Sequence, residues 1–596
     1  MKTSLLTGFA AAALLAPAWA QTTGPSTTES AYVLPDGPHA AITGTTSLLS
    51  VGDLVGGYKM VGIPDGLGAF DNGDGTFTLL MNHELTSAVG VTRAHGSKGA
   101  FVSKWVINKN TLAVVSGADL IQSIYPWDFA NNISSSTPAT TAFSRFCSAD
   151  LPAPTAFYNA TTGLGTQARI FMNGEEDNST GHGRCYAHVV TGTNAGKSYE
   201  LGRFMVSSID LNASENCLAN PFAQDKTLVM IDNDGGTANV NNKVVLYVGT
   251  KTNTGTEADK AGLTNGTVKF ISVTGNPAEI VDTTSRATNI VSGTTFTLSM
   301  TTAGGTTFSR PEDGAWNPIN PKQYYFVTTD RLDQVTDGVG SQIGRSRLWR
   351  LTFSDLSNPD AGGTIDLLLD GTEGQVMLDN LTVGPDGHLL LQEDVGGAAH
   401  NGKIWDYNPE NDQLTLVAKH DPARFGDIAS GGVITPATAP FTNDEETSGV
   451  IDITALMAGS ALNTRLPHEQ WFLSSDQAHY ATADAETVEG GQLFAIHRAG
   501  QAVNPPGKDV VNCDVRSGKP QTDKPTFRVK GVASSTEGIV KVQYRLPGEK
   551  KFRTAKGTES WSFNASLQPG KNKILVRVFS ASGETSDTVV IVTRRK

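Results

Sequence analysis

The sequence predicts an all-β protein, a large β-propeller followed by a small Ig-like β-sandwich, and three observations carry that expectation. Glycine occurs 63 times in 596 residues and charged residues make up only 18 %, against usual shares of about 7 % and 25 %. A turn, a short apolar strand and an abrupt polar or acidic cluster recur at GDGTFTLLMNHE (73–84), TQARIFMNGEED (166–177), NNKVVLYVGTK (241–251), NPKQYYFVTTD (320–330), GPDGHLLLQED (384–394) and EQWFLSSDQAH (469–479). Few windows hold a helical apolar period, and Gly, Pro and Asn-Gly signals interrupt those that do. The strand centres lie about 65 to 90 residues apart, which leaves room for loop insertions beyond the ~40 to 50 residues of compact propeller repeats. Strands set radially bring equivalent ends to one mouth, so the polar clusters should converge there.

In chain order, residues 1–20 open with Lys2, continue as an apolar run and end in Ala18-Trp19-Ala20, the pattern of a signal peptide. That run is shorter than the roughly 20 residues of a membrane span. The expectation is an exported protein, periplasmic or extracellular, with no transmembrane segment. The propeller is expected over 21–499 and a linker over 500–512, stiffened by Pro505 and Pro506. Over 513–596 the segments FRVKGVA (527–533), IVKVQYRL (539–546), WSFNASL (561–567), KILVRVFSA (573–581) and TVVIVT (588–593) read as the strands of the sandwich.

The net charge of −13 divides unevenly, because residues 513–596 hold 17 Lys and Arg against 7 Asp and Glu, leaving −23 for the rest. An acidic body argues against a nucleic-acid partner and suits cations. The basic tail is either a solvated face or a contact to an anionic surface. A monomer acting on a small substrate is expected. Four cysteines, Cys147, Cys185, Cys217 and Cys513, are too few for a disulfide framework. Cys185 and Cys217 can pair, and spacing does not decide it.

The chain has no GxSxG elbow, Walker loop, HExxH or strand-borne GxGxxG. Acidic residues stand out instead: Glu84, Glu175, Glu176, Asp177, Glu312, Asp313, Asp379, Glu393, Asp394, Asp444, Glu445 and Glu446. Such oxygen ligands suit calcium or another hard cation. In FSRPEDGAWNP (308–318) Arg310 precedes Glu312 by two residues, which reads either as an ion pair or as a phosphate clamp beside a cation ligand. Cys147 reads either as a disulfide partner or as a thiolate ligand to a transition metal. The histidines His83, His95, His182 and His479 read as hydrogen-bonded structure, and Tyr324, Tyr325 and Trp471 as core.

Taken together, NHE (82–84), RFCSAD (145–150), FMNGEED (171–177), RPE (310–312), DNLTVGPDGHLLLQED (379–394) and NDEETSG (443–449) resemble the PhoX alkaline phosphatases. The likeness spans most of residues 40–497. It implies a six-bladed propeller acting on phosphate monoesters through several Ca²⁺ ions and a pair of Fe³⁺ ions joined by a cysteine. It implies Cys147 as the bridging ligand, Glu175 or Glu176 as an iron ligand, and Arg310 as the phosphate clamp. Glu312, Asp379 and Asp394 follow as metal ligands, Asn82 and Glu84 lie near the substrate, and Glu445 and Glu446 fill the last matching acidic segment. The sequence departs from the family where Cys147 is followed by Ser148, Ala149 and Asp150 rather than alanine and two glycines. It departs again in AGLTNGTVKF (261–270), which offers only Asn265 where a glutamate is expected. The alternatives are a calcium-dependent propeller hydrolase for lactones, phosphodiesters or organophosphates, and a non-catalytic calcium-binding propeller.

Overall fold

A computed structural model describes residues 20–35, 42–205, 213–235, 239–330, 345–396, 400–429, 433–463, 469–499, 512–514, 521–534, 539–558, 560–580 and 585–595. The expected signal peptide and linker, apart from residues 20 and 512, lie outside the described residues. The chain divides into two compact units, Met1–Gln501 and Ala502–Lys596. Both are all-β, and among the described residues the α-helices are four-residue turns, Glu257–Lys260 and Pro422–Phe425. None is long and apolar enough to cross a membrane.

Among the described residues, the first unit contains six antiparallel four-stranded meanders, of which the second, fifth and sixth each carry a fifth, edge strand, Ser123–Tyr125, Val33–Pro35 and Ala20–Thr23. Sheet one is Pro64–Asp71, Thr76–His83, Phe101–Asn108 and Val114–Asp119, and sheet two is Ala149–Asp150, Ile170–Gly174, Cys185–Val189 and Lys197–Glu200. Sheet three is Leu218–Ala219, Lys226–Asp232, Val244–Thr250 and Thr267–Val273, and sheet four is Pro311–Trp316, Gln323–Thr328, Arg347–Phe353 and Gly363–Leu369. An extra strand, Thr295–Thr301, pairs with the outer strands of both and fuses them into one 9-stranded sheet. Sheet five is Leu378–Val383, Leu389–Glu393, Lys403–Asn408 and Gln413–His420. Sheet six is Glu445–Asp452, Glu469–Ala478 and Gln492–Ala499, completed by Ile42–Ser50 from the other end of the unit.

The second strand of each sheet carries an apolar run because both of its faces are covered. Six hydrophobic clusters account for this, each drawing on two adjacent sheets: one with two, two with three, three with four, four with five, five with six, and six with one. Phe171 thus packs in one cluster and Met172 in another. The first strands likewise touch in a closed ring, Pro64–Asp71 meeting both Ala149–Asp150 and Glu445–Asp452. Pairing six with Ile42–Ser50 joins the two ends of the ring through backbone hydrogen bonds.

The second unit holds a three-stranded and a five-stranded sheet over one core that includes Val529, Trp561, Phe563, Ile574, Val576 and Val590. Its strands Thr526–Ser534, Ile539–Arg545, Ser560–Ser566, Gly570–Ser580 and Thr585–Arg594 coincide to within a residue at the C-terminal end with the segments 527–533, 539–546, 561–567 and 588–593 read from the sequence, and with the described part of 573–581.

Candidate metal centre

Antiparallel register places the start of each first strand beside the end of the second: Pro64 opposite His83, Pro311 opposite Thr328, Leu378 opposite Glu393, and Glu445 opposite Ala478. In all four the register shifts near the start of the first strand, spanning 64–67, 311–314, 378–381 and 447–450. Such bulges re-aim side chains, here Asp65, Glu312 and Asp379. Just upstream stand non-glycine residues with positive φ, namely Ile63 (49°), Arg145 (48°), Arg310 (51°) and Met377 (46°). Each lies two residues before Asp65, Cys147, Glu312 or Asp379. Their carbonyls accept the N–H groups of Glu84, Glu176, Thr329 and Asp394, each at 2.9 Å. Backbone held this way costs about 1–3 kcal/mol per residue and concentrates at functional sites.

The side chains so delivered converge. Asp65, Glu84 and Cys147 have ligand atoms within 4.8 Å of one another, as do Cys147, Glu176 and Glu215, and again Glu215, Glu312 and Asp379. Cys147 belongs to the first two groups and Glu215 to the last two. Gln477 Nε2 donates to Asp65 Oδ2 and Glu84 Oε2 at 3.0 Å each, and Ser148 Oγ donates to Glu215 while accepting from Asn380 Nδ2. Cys147 Sγ donates to Asp65 Oδ2 at 3.2 Å. Asp65 Oδ1, Glu215 Oε2 and Asp379 Oδ1 are buried with no hydrogen-bond partner.

This concentration of buried acid is electrostatically unfavourable by itself. Burial, then the neighbouring carboxylates, holds Asp65 and Asp379 well above the ordinary range and pushes Glu215 up to about 7. Burial, then Asp394, does the same to Glu446, also about 7. Burial followed by Asp65 and Glu215 raises the Cys147 thiol. Cations are the natural compensation: oxygens for a hard ion such as calcium, and a thiolate for iron. The unpartnered oxygens fit that donor role.

Two arginines face the acids. Arg310 Nε and Nη2 donate to Asp234 at 3.0 Å each, and Nη2 lies 2.8 Å from Glu312 Oε1. Its Nη1 is buried without a hydrogen-bond partner. Burial works against the Arg310 charge, and Asp234 and Glu312 overcome it. Arg145 pairs with Glu84 at 2.7 Å and with Glu176.

Some sequence expectations need correction. Glu176, not Glu175, reaches the donor groups: Glu175 turns away, accepting Ser144 N and pairing with His182, both at 3.0 Å. Glu445 likewise accepts Gly402 N at 3.1 Å, while Glu446 faces His479, 3.9 Å away. Successive strand residues point to opposite faces, so each tandem acidic pair contributes one member. Asp394 pairs in a β-bridge with Glu446 and accepts Gly396 N at 2.8 Å, beside the donor groups rather than within them. Asn82 is fully buried, donating to Cys147 O at 2.6 Å and accepting from Asn173. It positions the cysteine segment.

The segment 241–251 contains the third strand of its sheet; the equivalent second strand is Lys226–Asp232, which is followed by Asn233 and Asp234. Asn265 exchanges hydrogen bonds with the Thr250 backbone, away from the acids, and sheet three instead supplies Glu215. Sequence reading missed Asp65, Arg145, Glu215, Asp234 and Gln477. Asp65, Arg145 and Glu215 belong to first strands or the chain entering them, where a bulge or a two-residue strand leaves no apolar run to mark the spot. Cys185 and Cys217 are free, buried thiols in one cluster.

No known protein family matches the chain, and no curated protein matches it. Among solved structures, the chain is similar to the fibronectin(III)-like modules of Clostridium thermocellum CbhA, at 12 % identity and a TM-score of 0.12, over 14 % of this chain and 96 % of that one. It is also similar to the extracellular domain of a one component system from B. thetaiotaomicron, at 9 % identity and a TM-score of 0.21, over 87 % of this chain and 73 % of that one. Likeness at this level assigns neither family nor activity.

Proposed function

We propose that the protein is an exported, metal-dependent phosphatase of the PhoX type that hydrolyses phosphate monoesters. The observation that carries this reading is the three overlapping donor groups, with Arg310 Nη1 unpartnered beside them. The fold reading that goes with it is a six-bladed β-propeller, supported by six meanders with a core between every adjacent pair and a last sheet completed by Ile42–Ser50. The two-sheet C-terminal unit is read as Ig-like.

Glu215, Glu312 and Asp379, all oxygen donors, would hold calcium; the groups containing Cys147 would hold iron. When bound, such ions supply charge neutralisation at the phosphoryl group and an activated nucleophile. The chain's own residues do the rest. Arg310 Nη1 meets a phosphoryl oxygen, and its fork to Asp234 fixes the direction of that donor. Ser148, Asn380 and Gln477 hold the carboxylates in place. Phosphoryl transfer depends on positioning and charge neutralisation, in keeping with the lack of a serine-hydrolase motif.

The test is elemental analysis of the native protein beside hydrolysis of p-nitrophenyl phosphate, with and without chelator and added Ca²⁺. Calcium and iron with chelator-sensitive turnover are the expected result. Calcium without turnover of this ester would remove the phosphatase reading in favour of another ester substrate or a non-catalytic propeller.

A further inference from the structure

Arg145 and Arg310 occupy the same place in sheets two and four. Both have positive φ, both stand two residues before a donor, and both reach an acid just beyond the second strand of the preceding sheet. Arg145 Nη2 lies 2.7 Å from Glu84 Oε1, and Arg310 Nη2 lies 3.0 Å from Asp234 Oδ2. They differ in exposure: the Arg145 side chain is 41 % exposed and that of Arg310 is 9 % exposed. Arg145's partners, Glu84 and Glu176, are both members of the donor groups. A cation on those carboxylates takes up the negative charge that now balances Arg145. Arg145 Nε donates to the Glu176 backbone carbonyl at 2.9 Å and Nη2 faces both carboxylates, so the loaded site presents the Nη1 edge of a partly open guanidinium, its charge largely uncompensated, to a carboxylate or phosphate.

We infer that Arg145 binds a second anionic group of the substrate, so that the site prefers phosphate monoesters that also carry a carboxylate. This inference rests on the phosphatase reading. The phosphoryl group lies at the donor groups with buried Arg310, and solvent-facing Arg145 meets the part of the molecule to which it is attached.

The experiment compares 2-phosphoglycolate with ethyl phosphate on the full chain loaded with calcium and iron, as wild type, R145Q and R145K. Wild type is expected to favour phosphoglycolate. R145Q should lose at least ten-fold more kcat/KM on phosphoglycolate than on ethyl phosphate, chiefly through KM, with R145K between. Equal losses on both esters, or an unchanged ratio, overturn the inference. Calorimetric binding of the non-hydrolysable pair phosphonoacetate and methylphosphonate supplies a second readout. If neither ester turns over but phosphonoacetate is preferred in an Arg145-dependent way, the phosphatase reading fails and the anion site stands. If wild type shows no preference, the inference fails.

Discussion

Arg310 commits two of its nitrogens to Asp234 and leaves Nη1 without a hydrogen-bond partner, a division that depends on the guanidinium plane. Lysine cannot reproduce it. R310A and R310K should both reduce kcat/KM for p-nitrophenyl phosphate by about 10²-fold or more, the scale seen when one preorganised donor is removed, while thermal unfolding stays cooperative. Steady-state kinetics beside a melting curve checks this, and near-normal turnover by R310K would rule out the fork as the clamp. Asn82 acts at one remove. N82A leaves the Asn173 amide without its acceptor and frees the Cys147 carbonyl, a cost of about 1–3 kcal/mol for each buried group left unpaired, measurable by chemical denaturation.

The first strands pack against one another with little room, and glycine provides it at two bulges. A Cβ on Gly66 would lie 2.4 Å from Ala149 N and 2.6 Å from Cys147 O, and one on Gly449 would lie 2.7 Å from Asp65 O. All of these contacts involve the Asp65 or Cys147 segments or their immediate neighbours. G66A should therefore destabilise by about 1–3 kcal/mol, as overpacking does, and also lower metal content, because the shifted backbone carries Asp65 or Cys147. Denaturation and elemental analysis of the purified variant separate the two effects. The second strands were legible because burial on both faces writes an apolar run into the sequence. The first strands were not, since their starts serve bulges and donors instead of a core, and Leu218–Ala219 is only two residues long.

For the molecule as a whole, the proposed cations on the buried acids would couple stability to metal supply. Ions that bind only the folded chain stabilise it by about 2.7 kcal/mol at a hundred-fold excess over Kd, so chelation should lower Tm and added Ca²⁺ should raise it. Histidines impose a separate acid limit. Burial pushes His188 down to about 3 and His95 to about 4, from 6.5. The unfolded chain then binds more protons over that interval. The stability tied to neutral His188 is complete above about pH 6.5 and falls by about 1.4 kcal/mol per pH unit below it. Wild type should thus lose about 2 kcal/mol relative to H188Q between pH 7.5 and pH 5, read from denaturant titrations at the two pH values.

Composition, strand periodicity and turn residues establish the all-β class, the second strands of five sheets, and the acids that directly follow or precede an apolar run, Glu84, Glu176 and Asp379 among them. These are local properties: the neighbours of a residue along the chain decide them. Which member of Glu175–Glu176 or Glu445–Glu446 turns inward, and the convergence of Asp65, Cys147 and Glu215, depend on register, bulges and the closing of six sheets on one another. Those arise from contacts between segments tens to hundreds of residues apart. The same holds for Arg145, whose significance lies in its equivalence to Arg310 and in the two carboxylates that folding brings to it.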